Sequence, residues 1–353
     1  MPWKNRNGSA AEKAPIAESE LSALFDDFAN SRKTLLAVSG GPDSTTLLVL
    51  AAKWRAKRGS GPELVAATID HGLRAAAKNE AKMVAKLAAK LGIPHHTLVW
   101  SGKKPITGVQ EAAREARFEL FSGLAKEIGA DLLMTAHTRD DQAETVLHRM
   151  GRGSGLGGLA GIRRVHKRGG IFLGRPFLEL PKARLVATLK KLRIPFASDP
   201  TNRDTKYLRA RLRKLAPVLA KEGIDAANLA LMAKRLARAN AALNRLADEA
   251  AFALRADADA GRAFEARGFF LMPEELSIRM LREAIDAEGI EGPAELAKVE
   301  TLYDALVHAY RAGEGTKRTL AGALVTLSEA ALIVAAAPPR KSASGKAKKA
   351  RKP

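Results

Sequence analysis

The sequence contains no cysteine among its 353 residues. Disulfide bonds, cysteine-ligated zinc, iron–sulfur clusters and persulfide chemistry are therefore excluded for this chain. None of the seven histidines is paired with another at the spacing of metal ligands. The sequence also lacks an apolar run of about 18 residues and the hydrophobic region of a signal peptide, so it predicts a cytoplasmic protein with no membrane contact.

Negative charge is scarce as well. Lysine and arginine total 59 against 38 acidic residues, which gives a formal net charge of +21. This excess favours a polyanionic partner such as nucleic acid, and charge kept only for solubility is the alternative. Residues 338–353 are predicted to be a disordered basic tail, because the segment after the two prolines has no apolar residue larger than alanine. Residues 1–17 are predicted to be a flexible N-terminus.

A glycine-rich turn is the feature around which the chain is organised. Leu35–Val38 is a short apolar run, Ser39–Ser44 is a turn, and a helix is predicted from Thr45 onward. Gly40 and Gly41 let a ligand approach the main chain, and the N–H groups at a helix N-terminus favour an anion. The turn lacks the lysine of a Walker A loop, so it contains no lysine to bind a γ-phosphate. An ordinary strand-to-helix turn is the alternative interpretation.

Strands and helices alternate through the first half of the chain. After a short helix over 18–30 and the turn, strands are predicted at 64–69, 95–100 and 131–136, and helices at 77–91, 109–128 and 139–149. The alternation predicts an α/β fold with a doubly wound, mainly parallel sheet. Ligands of such sheets bind beyond the carboxyl ends of the strands. Ser39, Asp70 and His137 lie at such ends, so the sequence predicts one site built from three stretches.

The second half of the chain is predicted to be mainly helical. Residues 151–161 contain six glycines and predict no regular structure. The elements predicted after them are a hairpin at 162–165 and 171–173, helices at 182–193, 207–256 (broken near Pro217 and Gly223), 273–288 and 293–312, and two strands within 319–336. We therefore expect a catalytic domain over 18–215 and a mainly helical substrate-binding region over 216–337 that ends in a short β-hairpin.

Three carboxylates are crowded at the start of one predicted helix. Asp140, Asp141 and Glu144 share one helical face, where like charges repel by about 0.2–0.5 kcal/mol per pair. The helix N-terminus offsets about 0.3–1 kcal/mol for an acid in its first turn. Stability therefore neither demands nor forbids the cluster, which suits magnesium or a cationic amine. Ordinary N-terminal acids are the alternative, and His137 beside them is typical of a core or capping residue.

Two stretches carry clustered arginines. Arg114 and Arg117 share a helical face and fit a phosphate or RNA. Taken in isolation, the stretch is better explained by solvated Glu–Arg pairing, such as Glu111 with Arg114. A second, denser group consists of Lys206, Arg209, Arg211, Arg213 and Lys214. This group fits an RNA-facing surface or a solvated helix face, and the sequence alone does not decide between them.

The motifs together resemble those of the tRNA(Ile)-lysidine synthetases, a family of the PP-loop ATP pyrophosphatases. The matching segments occur in the family's order over about residues 33–215: SGGPDS (39–44), IDHGLR (69–74), 111–117, TAH through ET (135–145), RGSGLGGLAGI (152–162) and DPTNRDTKYLRARLR (199–213). TLAGALVTL (319–327) is a weaker match. Two features depart from the family: the C-terminal segment is compact, and Ala210 stands where many members have asparagine.

The resemblance implies that the chain adenylates the C2 oxygen of the wobble cytidine in the CAU anticodon of tRNA(Ile), with ATP and Mg²⁺. Free L-lysine then displaces AMP to form lysidine, which changes the codon read from AUG to AUA. The resemblance assigns ATP binding to Ser39, Gly40, Gly41, Pro42, Asp43, Ser44, Asp70 and His71, with Mg²⁺ on Asp43. It assigns catalytic roles to Asp43, Arg114, His137, Asp141 and Glu144, the last two as the seat of the lysine amine. It assigns tRNA or substrate contacts to Arg117, Asp140, Arg152, Arg209, Arg211 and Arg213.

Three other functions are weighed against this one. A tRNA thiolase of the same fold carries sulfur on cysteines or a cluster, which this chain cannot do. A synthetase that adenylates a small metabolite has no need of so basic a chain. A nucleotide-regulated RNA-binding protein without catalysis does not explain the crowded carboxylates, which repel RNA. The oligomeric state is left open, with a homodimer among the alternatives.

Overall fold

The computed structural model describes residues 10–70, 75–100, 109–197 and 208–338. The chain divides into two compact units, residues 1–237 and 238–353. The domain boundaries expected from the sequence, at residues 17, 215 and 337, remain predictions. Most of the predicted tail, including every basic residue in it, lies outside the described residues.

The sheet of the first unit has the predicted parallel arrangement. Its strands are β1 (Lys33–Ala37), β2 (Glu63–Asp70), β3 (His95–Val99), β4 (Leu132–Met134), β5 (Val165–Arg168) and β6 (Ile171–Gly174). They lie in the order β3-β2-β1-β4-β6-β5, and every neighbouring pair is parallel except the antiparallel β5–β6 pair. The expectation of a doubly wound, mainly parallel α/β fold is confirmed.

Helices cover both faces of this sheet. The helices up to residue 253 are α1 (Ala10–Lys13), α2 (Leu21–Phe25), α3 (Pro42–Arg58), α4 (Ala75–Lys90), α5 (Val109–Ile128), α6 (Arg139–Met150), α7 (Leu156–Leu159), α8 (Lys182–Lys191), α9 (Leu208–Lys221) and α10 (Ala226–Ala253), the last of which includes the boundary between the two units. Adjacent strand residues point to opposite cores: Leu36 packs in the core that holds α3 and α8, and Leu35 packs in the core that holds α5. No helix within the described ranges is long and apolar enough to cross a membrane.

Three local expectations in this unit were wrong. The single helix expected over 18–30 is α2 between two 3-10 turns. Helix α3 begins at Pro42 rather than Thr45, because proline is well suited to the first helical position. Residues 151–161, for which the six glycines predict no regular structure, contain the short helix α7.

Helix α9 differs from its prediction in another way, because it continues through Pro217 instead of breaking there. Pro217 is on the exposed side of the helix, where water can satisfy the carbonyl that loses its N–H donor. The expected break near Gly223 is present, between α9 and α10.

The second unit holds more β structure than the sequence predicted. Its helices are α11 (Ala266–Leu271), α12 (Glu274–Glu288) and α13 (Leu296–Ala312), and its strands are β7 (Arg255–Ala256), β8 (Arg262–Glu265), β9 (Thr316–Leu320), β10 (Ala323–Leu327) and β11 (Ala331–Ala336). These form an antiparallel sheet in the order β7-β8-β11-β10-β9. The predicted hairpin is confirmed as β10 and β11, which pair around a turn at Ser328. The other strands were not predicted, because β8 is too short to be recognised locally and pairs with distant β11. Phe269 and Tyr303 pack in the core beneath this sheet.

One carboxylate ties the starts of β1 and β4 together. Ser31 Oγ donates to Asp131 at 2.7 Å, and the backbone N–H groups of Arg32 and Lys33 donate to it at 3.1 and 3.2 Å. Burial alone would raise the pKa of Asp131, but these hydrogen bonds outweigh burial and hold its pKa below the usual value.

We expect Asp131→Asn to lower the free energy of unfolding at neutral pH by about 1–3 kcal/mol, because a charged acceptor is lost. A depressed folded-state pKa gives stability that is present above the unfolded-chain pKa, about 3.9, and is lost as pH falls through the folded-state value. Denaturant unfolding should therefore show the difference from the unchanged protein shrinking below about pH 4. Asp259→Asn, at an exposed site, is the control; an equal or pH-independent loss in both variants would contradict the assignment.

Candidate active site

The glycine-rich turn is held open by its own hydrogen bonds. Ser44 Oγ accepts from the Ser39 N–H at 3.0 Å, lies 3.1 Å from Ser39 Oγ, and donates to the Gly41 carbonyl at 3.2 Å. Gly40 has φ +85°, in the left-handed region that favours glycine. Gly41 caps α3 without a side chain, so the first N–H groups of the helix face a loop shaped to receive an anion.

Asp43 is the acid of this turn, and its two oxygens differ. Oδ2 accepts from Lys182 Nζ at 2.8 Å, whereas Oδ1 is buried and has no hydrogen-bond partner among the described residues. Burial raises the pKa of Asp43 and outweighs the opposing effect of Lys182, and the charges of Asp141 and Asp140 raise it further. The turn and the start of α6 therefore form one electrostatic site.

Each carboxylate of the α6 cluster has its own donor. Asp141 Oδ2 accepts from the Thr138 N–H at 2.8 Å and from Thr138 Oγ1 at 2.9 Å, which completes a capping box at the helix start. Asp140 Oδ2 accepts from the backbone N–H of Lys182 at 2.8 Å. These donors explain how acids crowded on one helical face are tolerated.

Glu144, the third acid, is paired across to α9. Arg213 donates to Glu144 through Nε at 2.5 Å and through a terminal nitrogen at 3.1 Å. The Glu144 side chain is 12% exposed and that of Arg213 is 41% exposed. Hydrogen bonding to Glu144 raises the pKa of Arg213, and the charges of Asp141 and Asp43 act in the same direction. Arg213 therefore belongs to the same electrostatic site as the phosphate turn.

Two other strand-end residues predicted from the sequence lie at the same edge of the sheet. Asp70 is the last residue of β2 and is buried. His137 Nδ1 lies 2.8 Å from Thr135 Oγ1, just before α6. His71 lies outside the described residues, as does the side chain of Arg209 within α9.

The predicted arginines of this edge are exposed: Arg114, Arg117, Arg152 and Arg211. Arg114 lies near two arginines that the sequence did not single out. Burial and the charge of Arg114 lower the pKa of Arg149, and they lower the pKa of Arg175 to about 10. Arg175 Nη1 donates to the Arg163 carbonyl at 2.6 Å, and its buried Nε has no partner among the described residues. The cluster therefore concentrates positive charge beside β6.

Two side chains of α6 fix the glycine-rich segment after it. Arg149 Nη1 donates to the carbonyls of Gly158 and Gly161 at 2.7 and 3.0 Å. Gln142 accepts from the Ile162 N–H at 2.6 Å and donates to the Ile162 carbonyl at 3.1 Å. The segment that begins with Arg152 is therefore pinned to the helix that carries the acids.

Lys182 is a further residue of this site that the sequence did not predict. It begins α8, and it contacts Asp43 with its side chain and Asp140 with its backbone. The only local signal is that Pro181 precedes it at the start of a predicted helix. Its partners are 139 and 42 residues away in the sequence, so no local pattern could identify them.

The donor set fits a nucleotide with a magnesium ion. The unpartnered, buried Oδ1 of Asp43 is a hard oxygen of the kind magnesium prefers. No group of three or more acidic or histidine side chains among the described residues is arranged to hold a metal ion by itself. Magnesium commonly takes one or two carboxylates and completes its shell with phosphates and water, so a single protein ligand here is sufficient.

Several known proteins are similar to this chain in sequence. A family model, the PP-loop domain, matches residues 13–219. The tRNA(Ile)-lysidine synthase of Bradyrhizobium diazoefficiens is 51% identical over 349 residues, which cover 94% of this chain and 97% of the relative. That of Rhodopseudomonas palustris is 48% identical over 341 residues, which cover 94% and 99%. Because both are matched almost end to end, they share the compact C-terminal part.

Among solved structures, a U34-tRNA thiolase from Methanococcus maripaludis has a TM-score of 0.53 at 17% identity. The match covers 62% of this chain and 77% of that one. At this identity the likeness concerns the fold alone.

We expect Gly161→Ala to destabilise the chain more than Gly153→Ala. Both glycines have positive φ, +71° and +65°, so both changes cost about 1–2 kcal/mol of backbone strain. A Cβ at Gly161 would also lie 2.5 Å from Gln142 Oε1, whereas one at Gly153 would meet nothing within 4 Å. Thermal unfolding of both variants measures the difference, and equal losses would show that the Gln142 contact is unimportant.

Proposed function

Because this chain belongs to the tRNA(Ile)-lysidine synthase family, we propose that the carboxyl edge of its parallel sheet makes lysidine on tRNA(Ile) in an ATP-dependent reaction. The protein is an ATP-using ligase of tRNA modification, and its substrates are tRNA(Ile) and lysine. The finer proposal is that it acts on the wobble cytidine of a CAU anticodon, so that the tRNA reads AUA instead of AUG. The proposal places the enzyme in the cytoplasm, where tRNA is modified.

The reaction needs two substitutions at one base. The C2 oxygen of cytidine is a poor leaving group, so it first attacks the α-phosphorus of ATP and pyrophosphate departs. The ε-amine of lysine then forms a bond to C2, the C2–O bond breaks, and AMP leaves with that oxygen. The amine must lose a proton before it attacks. A phosphate turn and an acidic amine seat at one edge supply what both steps require.

The phosphate turn is proposed to hold the nucleotide. The N–H groups at the start of α3 and the open backbone at Gly40 and Gly41 receive phosphate oxygens. Asp70 and His71 are the proposed contacts to the adenosine part of ATP. Asp43 is the proposed magnesium ligand through its unpartnered Oδ1. Bound there, magnesium would neutralise phosphate charge during adenylation.

Glu144 and Asp141 are the proposed seat of the lysine amine. Asp141 Oδ2 is used by the capping box, and Glu144 is engaged by Arg213. An ionised carboxylate offers about four lone-pair sites, so either acid can accept a further N–H donor. Because Arg213 of α9 donates to Glu144, we propose that binding of RNA to α9 and binding of the lysine amine influence each other. His137, which lies at the same strand end, is a further proposed catalytic residue.

The basic residues around the edge are proposed to bind tRNA. Arg114, with its neighbours Arg149 and Arg175, concentrates positive charge that suits phosphate or the cytidine. Further contacts are proposed for Arg117, Asp140, Arg152, Arg209, Arg211 and Arg213. The net charge of +21 suits the same polyanionic partner. A homodimer remains a proposal.

The observation that carries the proposal is that the phosphate turn and the α6 carboxylates form one site, joined through Lys182. A metabolite-adenylating enzyme has no need of the flanking arginines. This chain has no cysteine, so it cannot transfer sulfur through a cysteine persulfide. A non-catalytic RNA-binding role is the remaining alternative, and turnover distinguishes it.

Incubation with labelled lysine, ATP and magnesium should transfer label to an isoleucine tRNA transcript with a CAU anticodon and release AMP. A methionine tRNA transcript with the same anticodon is the matched control and should remain unlabelled. Asp43→Ala should abolish AMP formation. Pyrophosphate release with another substrate, and no label in either tRNA, would overturn the lysidine assignment while keeping the nucleotide site.

Glu144→Gln should raise the KM for lysine by about tenfold or more, because a buried carboxylate that pairs with the ammonium is lost. The KM for ATP should change little, since the phosphate turn is untouched. Glu179→Gln, on an exposed carboxylate paired with Lys234, is the control. An unchanged KM for lysine with a normal rate would remove Glu144 from the amine seat.

A further inference from the structure

Lys182 is held at both of its ends by the acids of the site. Its backbone N–H donates to Asp140 Oδ2, and its ammonium donates to Asp43 Oδ2, each at 2.8 Å. The first contact fixes the start of α8 against the start of α6. The second places a cation beside the N-terminus of α3, where the glycine-rich turn lies. A side-chain substitution at Lys182 therefore removes the cation and leaves the backbone contact in place.

The phosphate turn needs a cation that it does not itself contain. A Walker A loop supplies a lysine that reaches the β- and γ-phosphates, and the turn over 39–44 has none. Backbone N–H groups carry only partial charges, and Asp43 adds negative charge that repels phosphate. A cation from elsewhere in the fold is therefore required, unless magnesium alone neutralises the triphosphate.

Lys182 has the freedom to supply that charge. Its side chain is 45% exposed, whereas that of Asp43 is 21% exposed, so the lysine side chain is the more accessible partner of the pair. Lysine carries a compact charge on a flexible four-carbon stem, which can turn from a carboxylate to a phosphate without moving the backbone. If Asp43 holds Mg²⁺, the ion would supply the counter-charge that Asp43 needs, and the Lys182 ammonium would then be available to a phosphate.

We propose that Lys182 is the phosphate-binding cation of the nucleotide site. Its ammonium neutralises Asp43 before ATP binds, and then donates to the β- or γ-phosphate, the part of ATP that leaves as pyrophosphate. No bond to Lys182 forms or breaks during the reaction. The inference rests on the proposed function for the identity of the nucleotide, and it adds a residue from α8 to the turn between β1 and α3.

A simpler role, in which Lys182 acts only as the counter-ion of Asp43, makes a different prediction. In that case the lysine affects anion binding only by neutralising Asp43, and its effect disappears once Asp43 is made neutral. If the ammonium contacts phosphate, its effect persists when Asp43 is neutral. The two roles are therefore separated by combining substitutions at both positions.

The experiment measures binding of inorganic pyrophosphate, ATP and AMP by calorimetry, without turnover. In the Asp43→Asn background without magnesium, adding Lys182→Ala should weaken pyrophosphate and ATP binding by about tenfold or more, because a charge-assisted hydrogen bond is lost. AMP binding should change little, because AMP lacks the departing phosphates. In the otherwise unchanged protein, Lys182→Arg should retain more pyrophosphate affinity than Lys182→Ala.

Lys234→Ala is the matched control, since Lys234 also pairs with a carboxylate at 2.8 Å but lies on an exposed surface. Thermal unfolding of each variant reports any structural loss. Equal pyrophosphate affinity for Asp43→Asn with and without Lys182→Ala would overturn the proposal in favour of the counter-ion role. Loss of pyrophosphate affinity in a protein that never labels tRNA would keep the role of Lys182 and refute the lysidine function instead.

Discussion

The crowding of negative charge at one edge of a parallel sheet is the constraint on which the site depends. Four carboxylates meet where an anionic nucleotide is proposed to bind, and each accepts a hydrogen bond from a different donor. Asp43 is paired with an ammonium, Asp140 with a backbone N–H, Asp141 with a capping residue and Glu144 with a guanidinium. These donors come from α8, α6 and α9. Neutralising the acids therefore also fixes the relative positions of the helices.

The fold of the first unit followed from the sequence because its signals are local. Apolar runs and helical periodicity repeat along the chain, and parallel strands place successive strand ends at one edge. Ser39, Asp70 and His137 were predicted to meet for this reason alone. Helix starts are less predictable, since Pro42, the first residue of α3, suits a turn as well as a first helical position.

The parts that the sequence did not predict depend on partners that are far apart in the chain. Lys182 and Asp43 are separated by 139 residues, and Arg213 and Glu144 by 69. Neither pair leaves a periodic pattern, and a lone lysine or arginine on a helix is usually solvated. In the second unit the β10–β11 hairpin was predicted but the extension of its sheet was not, because β8 is short and pairs with distant β11. The glycine-rich segment was read as irregular, although α6 side chains hold it from outside.

The capping box of α6 has a consequence for how this enzyme can vary over evolution. One oxygen of Asp141 accepts the two hydrogen bonds from Thr138 that cap α6, and the charge of the same carboxylate acts on Asp43. Glutamate is a longer side chain that would place its charge differently, and asparagine would keep a cap but remove the charge. A substitution here can therefore keep the cap of α6 and still move or remove the charge, so the charged site constrains this position even where folding is preserved.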